Sequence, residues 1–181
     1  MRGFILRLAG AATLDPATYE EVEQDRAASG QAVVVIGLAA VAAGFGALGW
    51  NASLTDVVSF AAAAGWVALV TWIAWAIMAL EIGGHLFPEP QTRVDVGELL
   101  RTIGFSASPG LFLVFGIVPG LTTFVFGLTA CWLLATMVLA VRQALDYTTV
   151  GRAVAVCAVG WLLAFAFILV LGVMFGPAVA H

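Results

Sequence analysis

Lysine is absent from this chain, whose basic residues are seven arginines among 181 residues. Charged residues of both signs make up only 10% of the sequence, against 62% hydrophobic residues. Soluble domains contain about 25% charged and about 45–50% apolar residues, so this chain has too little polar surface to fold in water. The missing lysines also exclude a broad basic face for nucleic acid. We therefore predict a membrane protein without a nucleic-acid partner.

Cysteine, histidine and motifs that carry chemistry are also scarce. Cys131 and Cys157 lie in apolar runs without a CxxC spacing, so we interpret them as small hydrophobic residues. The sequence has no GxSxG, HExxH, Walker or dinucleotide-binding motif. These absences predict no enzyme, no metal and no cofactor. His85 as a haem or chlorophyll ligand is the open alternative to a merely polar histidine at the membrane interface.

Apolar sequence is abundant and falls into five segments between short polar connections: residues 31–50, 57–82, 103–118, 121–141 and 153–175. A bilayer hydrocarbon core about 30 Å thick is crossed by about 20 helical residues. The pattern therefore predicts an all-α, polytopic membrane domain, a bundle of five transmembrane helices over residues 31–181. A separate N-terminal segment, residues 1–30, would precede this domain.

The third segment is the shortest, and prolines mark its middle and its end. Asp95 and Glu98 have the spacing of a capping box, which predicts that a helix begins there, outside the lipid. Pro109 and Gly110 predict that this helix is kinked or broken. Broken helices line substrate sites in transporters, whereas a neighbouring helix accommodates an ordinary proline kink. The sequence leaves both interpretations open.

Arginine positions predict the orientation of the helices. All seven lie before the first segment, between the second and third, or between the fourth and fifth: Arg2, Arg7, Arg26, Arg93, Arg101, Arg142 and Arg152. Because cytoplasmic loops are enriched in arginine, we predict a cytoplasmic N-terminus and a C-terminus outside, which requires an odd number of spans. His85 and His181 then lie on opposite sides of the membrane and cannot share a metal.

The N-terminal segment begins with an apolar run that arginine interrupts. We predict that residues 1–14 form an amphipathic helix at the membrane surface. In this helix Phe4, Ile5 and Leu8 would face lipid, and Arg2 and Arg7 would face the phosphates. A frayed terminus is the alternative.

A second, acidic helix is predicted to follow. Asp15 suits an N-cap, and Pro16 suits the first helical position, where no N–H is needed. Tyr19 and Val22 would then share one face, which we predict contacts a partner. A solvated acidic linker is the alternative to this helix.

Polar side chains gather where the second helix ends, the third begins and the fourth ends. They are Glu81, His85, Glu98, Arg101, Arg142, Asp146 and Tyr147. Unpaired charge near the acyl region is costly, and carboxylates pair well with guanidinium groups. We therefore predict an ion-pair layer that joins the helix ends, with Arg142 and Asp146 as one pair. Separate solvation of each group at the headgroup level is the alternative.

Two further patterns lie within the apolar segments. Trp72 and Trp75 fall too deep in the second segment for an interfacial belt. They either form an aromatic wall beside a lipid, quinone or pigment, or pack between helices. Small residues recur at i, i+4 as candidate helix contacts, without assigning helix pairs: Ala40/Gly44, Ala61/Gly65, Gly127/Cys131/Ala135 and Gly160/Ala164.

Three stretches carry a family resemblance: residues 14–23 (Leu-Asp-Pro-Ala-Thr-Tyr-Glu-Glu-Val-Glu), 98–110 (Glu-Leu-Leu-Arg-Thr-Ile-Gly-Phe-Ser-Ala-Ser-Pro-Gly) and 141–149 (Val-Arg-Gln-Ala-Leu-Asp-Tyr-Thr-Thr). Together they resemble the prokaryotic branch of the Yip1 domain family. The resemblance implies a five-helix protein with a cytoplasmic N-terminus and no established enzymatic activity. Eukaryotic relatives interact with Rab-type GTPases. This chain lacks their long N-terminal region and their Asp-Leu-Tyr-Gly-Pro motif, so that role is not carried over.

We therefore expect a non-enzymatic protein of the prokaryotic cytoplasmic (inner) membrane, of the Yip1-like type, that acts as a scaffold or accessory subunit. Its helix faces would contact membrane lipids, other membrane-protein subunits or a second copy of the chain. A respiratory or photosynthetic complex is one candidate setting. The broken third helix supports a different class of function, a small transporter, channel or lipid-moving protein.

Overall fold

The computed structural model describes residues 3–50, 53–92 and 95–175. Every regular element in these ranges is helical, so the all-α prediction is confirmed for them. The elements are α1 (Phe4–Ala12), α2 (Pro16–Gln24), α3 (Ala28–Leu48), α4 (Leu54–Glu81), a π turn (Ile82–Leu86), α5 (Val96–Phe105), a 3₁₀ helix (Ser108–Ile117), α6 (Thr122–Ala144) and α7 (Val150–Phe175). Arg2, Arg93 and His181, which entered the predictions of orientation and metal binding, lie outside the described ranges.

Several helices are long and apolar enough to cross a membrane. The four are Ala28–Leu48, Leu54–Leu86, Val96–Ile117 and Thr122–Ala144. A shorter apolar stretch, Val150–Ala166, begins α7. The predicted membrane-spanning character is therefore confirmed at the level of four candidate spans, and the fifth span stays a prediction.

Local capping explains where two of the predicted helices begin. Asp15 caps α2 through its side chain, and Pro16 occupies the first turn. Asp95 caps α5 because its Oδ1 accepts a hydrogen bond from the Glu98 backbone N–H at 3.1 Å. These side chains satisfy N–H groups that have no partner inside the helix, and both helix starts were predicted correctly.

The third span changes helix type near its middle. α5 ends at Phe105, before Pro109 is reached, and the chain continues as a 3₁₀ helix over the ten residues Ser108–Ile117. At the break, the Ser106 hydroxyl donates to the Ile103 carbonyl at 2.7 Å. A 3₁₀ helix rises about 2.0 Å per residue against about 1.5 Å for an α-helix, so this stretch extends about 20 Å instead of about 15 Å. The break therefore lengthens the shortest predicted span.

Helix α3 approaches the third span closely because small residues line the contact. A Cβ added to Gly104 would lie 2.6 Å from the Cβ of Ala32, and one added to Gly110 would lie 2.7 Å from the Cβ of Ala39. One added to Gly46 would overlap the backbone of the 3₁₀ helix. These glycines leave no room for a side chain, so backbone packing holds α3 against both halves of the broken span.

Two of the predicted small-residue pairs face each other. A Cβ on Gly44 would lie 3.8 Å from the Cβ of Ala61, and one on Gly65 would lie 3.7 Å from the Cβ of Ala40. The structure thus pairs α3 with α4 through two stripes that the sequence could not match. The stripe on α6 is exposed in the described part of the chain; its residues are Gly127, Cys131 and Ala135.

Helices α1 and α2 form a hairpin that packs against the bundle. Tyr19 and Val22 of α2 are fully buried in a core with Val35, Phe105 and Ala140. The prediction that Tyr19 and Val22 contact a partner is therefore corrected: the chain's own helices occupy that face. Burial inside the molecule explains why Tyr19 and Val22 share one face of an otherwise acidic helix.

The prediction for α1 is corrected in the same way. Arg7, expected at lipid phosphates, is only 1% exposed, and Phe4 and Leu8 pack against the buried core. The reason is that Arg7 finds carboxylates within the hairpin, so the polar face of α1 turns inward. Ile5 is exposed, and its contact with lipid stays a prediction.

Candidate functional site

An apolar crevice lies between α4 and α6, and the break in the third span forms part of its wall. Its volume is about 430 Å³, and an adjoining cavity of about 220 Å³ continues along α3 toward the 3₁₀ helix. We call this the α4–α6 crevice. Residues that line it include Ala64, Ala68, Trp72, Ala107, Leu133 and Met137.

Trp72 and Ser106, two polar residues in the crevice wall, are hydrogen-bonded within the bundle. Trp72 Nε1 donates to the Leu100 carbonyl at 2.9 Å, and Ser106 Oγ donates to the Ile103 carbonyl at 2.7 Å. The Ser106 carbonyl accepts a hydrogen bond from Thr136 Oγ1 at 2.7 Å. None of the residues that line the crevice carries an ionisable side chain. The crevice therefore offers shape and apolar contact, which suit a hydrocarbon chain.

The two predicted wall tryptophans differ in their surroundings. Trp75 is buried, stands edge-on to Trp161 with ring centroids 6.2 Å apart, and packs over Gly160. A Cβ added to Gly160 would lie 2.5 Å from the Trp75 ring. Trp72 is partly exposed in the crevice. Packing between helices thus accounts for most of the Trp75 surface, and Trp72 presents the aromatic wall.

Tyr147 joins the end of α6 to the π turn after α4. Its hydroxyl lies 3.0 Å from the Gly83 carbonyl and 2.9 Å from the Phe87 carbonyl. Arg142 Nε donates to the Tyr147 carbonyl at 3.2 Å. Within the described residues, Arg142 forms no ion pair with Asp146, so the predicted pair is corrected. Arg142 instead donates hydrogen bonds to the backbone of the segment that follows α6.

Glu89 forms an ion pair with Arg152 at this end of the bundle. Its Oε1 lies 3.0 Å from Arg152 Nε, and the Thr148 backbone N–H donates to its carboxylate at 3.2 Å. Desolvation opposes ionisation, but the hydrogen bonds from Thr148 and the positive charge of Arg152 outweigh it and lower the pKa of Glu89. The sequence carried no signal for this role, because Glu89 stands alone between two prolines, far from its partners.

The remaining predicted polar residues make separate connections. Glu81 Oε2 and His85 Nδ1 lie 3.4 Å apart, one helical turn from each other, and both side chains are exposed. Arg101 is buried, and its Nε donates to the Glu23 carbonyl at 3.0 Å, which ties α5 to α2. Glu98 lies at a separate polar pocket. These residues therefore make separate local and backbone contacts, and the predicted continuous ion-pair layer is corrected.

The side chain of Glu23 lies close to several other acids. Burial raises the pKa of Glu23 to about 7, and the negative charges of Glu98, Asp146 and Glu20 act in the same direction, while Arg101 opposes them. A carboxylate held among like charges ionises less readily. This group therefore titrates near neutral pH at the contact between α2 and α5.

Arg7 is the centre of a buried charge cluster that the sequence did not predict. Its Nη2 lies 2.9 Å from Glu21 Oε1 and 2.7 Å from Asp25 Oδ2, and its Nη1 donates to Gln31 Oε1 at 3.1 Å. The hydrogen bond from Arg7 lowers the pKa of Asp25. The cluster joins α1 to α2 and to the start of α3. The available signal is an arginine inside an apolar run, which fits an internal partner as well as lipid phosphates.

Among residues 3–50, 53–92 and 95–175, no three His, Cys, Asp or Glu side chains form a group that could hold a metal ion. Comparison with known proteins finds no family model, no curated protein and no solved structure that matches the chain. The Yip1 resemblance therefore stays a prediction. Of the sites above, the α4–α6 crevice offers the clearest space for a ligand.

Proposed function

We propose that this chain is a non-enzymatic integral membrane protein of the Yip1-like type that binds the acyl or isoprenoid chain of a membrane lipid in the α4–α6 crevice. The observation that carries the proposal is the crevice itself, a space of about 430 Å³ with an apolar wall beside the broken span. Hydrocarbon is the solvent of a spanning helix, so a lipid chain is the occupant that needs no entry path through water.

Five spans and a cytoplasmic N-terminus belong to this proposal. Helix α7 has 26 residues, which at 1.5 Å each give about 39 Å, enough to cross a bilayer. Arg142 and Arg152 flank the connection between α6 and α7, and the positive-inside rule places such a connection in the cytoplasm. The proposed location is the cytoplasmic membrane of a prokaryote.

A pair of matched variants tests the crevice. Ala68 lines both cavities, whereas Ala63 is exposed on the same helix and lines neither. The proteins with Ala68→Trp and Ala63→Trp are purified in mild detergent, and the lipid that stays bound is measured by mass spectrometry. We expect Ala68→Trp to reduce bound lipid at least severalfold because the indole fills the crevice. Equal bound lipid in both variants would contradict the proposal.

A second candidate function is lipid movement across the bilayer. Its support is that the break in the third span, at Ser106 and Ala107, contributes to the crevice wall. The test is transfer of a fluorescent lipid between the leaflets of liposomes that contain the protein. Transfer faster than in empty liposomes, and slowed by Ala68→Trp but not by Ala63→Trp, supports it. Transfer at the rate of empty liposomes rejects it.

Association with another membrane protein, or with a second copy, is the proposed mode of action as a scaffold or accessory subunit. The exposed stripe on α6 supports it, because small residues allow close approach of two helices in lipid. Cys131 lies in that stripe and is exposed, whereas Cys157 is buried. Oxidative crosslinking in membranes should therefore give a dimer that disappears with Cys131→Ser if two copies pair here. A larger native complex without this crosslink indicates a different subunit.

A further inference from the structure

A polar pocket lies where α3 and α5 begin, apart from the α4–α6 crevice. Its volume is about 430 Å³, and none of its lining residues lines the crevice. The residues around it are Arg26, Ser29, Asp95, Gly97, Glu98 and Arg101. We call this the Arg101 pocket. Neither the crevice nor the helix contacts described above assign it a role.

Arg101 is the built part of this pocket. Arg101 is only 7% exposed, and its Nε donates a hydrogen bond to the Glu23 carbonyl at 3.0 Å. Its Nη1 makes no hydrogen bond to any residue in the part of the chain that the structure describes, and lies 3.0 Å from where a Cβ on Gly97 would stand. The guanidinium is therefore anchored by a backbone carbonyl, and one nitrogen remains for an anion.

The charges around the pocket indicate the class of ligand. Two arginines and two acids line it, so their formal charges cancel. A lone phosphate would meet Asp95 and Glu98, and a lone amine would meet Arg26 and Arg101. A zwitterion that carries both groups satisfies both signs at once. We propose that the Arg101 pocket binds a phosphoethanolamine group, with the phosphate at the arginines and the ammonium at the carboxylates.

The position of the pocket points to the headgroup of a lipid as one source of this group. Ser29 and Glu98 lie just before the apolar segments 31–50 and 103–118, where a spanning helix would meet the headgroups. An ammonium donates three N–H groups to carboxylates, whereas a choline group donates none. Phosphatidylglycerol has no cation for Glu98. The expected order of binding is phosphatidylethanolamine above phosphatidylcholine and phosphatidylglycerol.

Native mass spectrometry of the full chain in mild detergent tests this order with three lipids of identical acyl chains. Identical chains cancel any contribution of the crevice, so failure of the crevice proposal leaves this test valid. Glu98→Gln should lower retention of phosphatidylethanolamine about tenfold, the loss expected for one charge-assisted hydrogen bond. Glu81→Gln, which removes an exposed acid at the end of α4, is the control and should change nothing. Arg26→Gln, at an exposed position, is a second variant that leaves the fold intact.

Competition by soluble compounds identifies the source of the ligand. Displacement of the lipid by O-phosphoethanolamine supports the pocket and shows that the free group suffices, whereas resistance to it with the lipid order intact supports a site for the whole lipid. Equal retention of the three lipids overturns the proposal. Displacement by phosphate alone, or full retention in both Glu98→Gln and Arg26→Gln, also overturns it.

Discussion

Replacing Arg7 by methionine should undock the α1–α2 hairpin. Removing one partner of a fully buried ion pair costs about 3–5 kcal/mol, because the charge left behind is uncompensated. Here the acidic partners keep 25% (Glu21) and 17% (Asp25) of their side-chain surface exposed, so water screens them and we expect about 2–3 kcal/mol. For a chain of this size that free energy corresponds to a lower melting temperature by about 4–12 °C.

The assay is thermal unfolding of the purified protein in mild detergent, with limited proteolysis of the N-terminal hairpin as a local readout. Arg26→Met is the matched control because Arg26 is exposed. Because Arg7 lowers the pKa of Asp25, their interaction stabilises the fold above the ordinary Asp value of 3.8 and is lost as pH falls below it. The effect of Arg7→Met should therefore shrink in acid. A melting temperature equal to that of Arg26→Met at pH 7 would refute the reasoning.

Three further substitutions test separate contacts. Tyr147→Phe removes the hydroxyl that joins α6 to the π turn, and should cost about 1–2 kcal/mol and speed hydrogen exchange of the π turn alone. Glu23→Gln should stabilise the protein by roughly 1 kcal/mol at pH 8, after allowance for partial solvent screening. Since the folded pKa of about 7 lies above the ordinary glutamate pKa of 4.5, this gain should vanish below pH 4.5, as melting curves across pH would reveal. Gly160→Ala should cost about 1–3 kcal/mol by overpacking, whereas Gly127→Ala, in open space, should leave the melting temperature unchanged.

Features that depend on neighbouring residues were predicted well. The starts of α2 and α5 follow from Asp15 and Asp95, whose side chains cap the helices they precede. The interruption of the third span was predicted from Pro109, although the α-helix already ends at Phe105. A proline disfavours the helical conformation of the residue before it and removes a donor, so the break extends toward the N-terminus.

Contacts between distant residues were not predictable in the same way. Arg101 and the Glu23 carbonyl are 78 positions apart, and no local pattern marks a backbone acceptor. Arg142 and Asp146 have the i, i+4 spacing of a helical ion pair, but α6 ends at Ala144 and Asp146 has a φ of 53°. The spacing rule requires a continuous helix, and that condition fails between these two residues.

The hairpin of α1 and α2 implies an order of assembly during synthesis. Residues 4–24, which form the hairpin, leave the ribosome before α5 and α6, which supply the hairpin's contacts with Arg101 and Trp132. At about 5–20 residues per second, the end of α6 emerges roughly 6–24 s after the end of α2. The polar partners of Arg7 are Glu21, Asp25 and Gln31. All three have been synthesised once the chain reaches residue 31, so the charge of Arg7 is neutralised early. The apolar face around Tyr19 is buried only after the fourth span, α6, has been synthesised and packs against it.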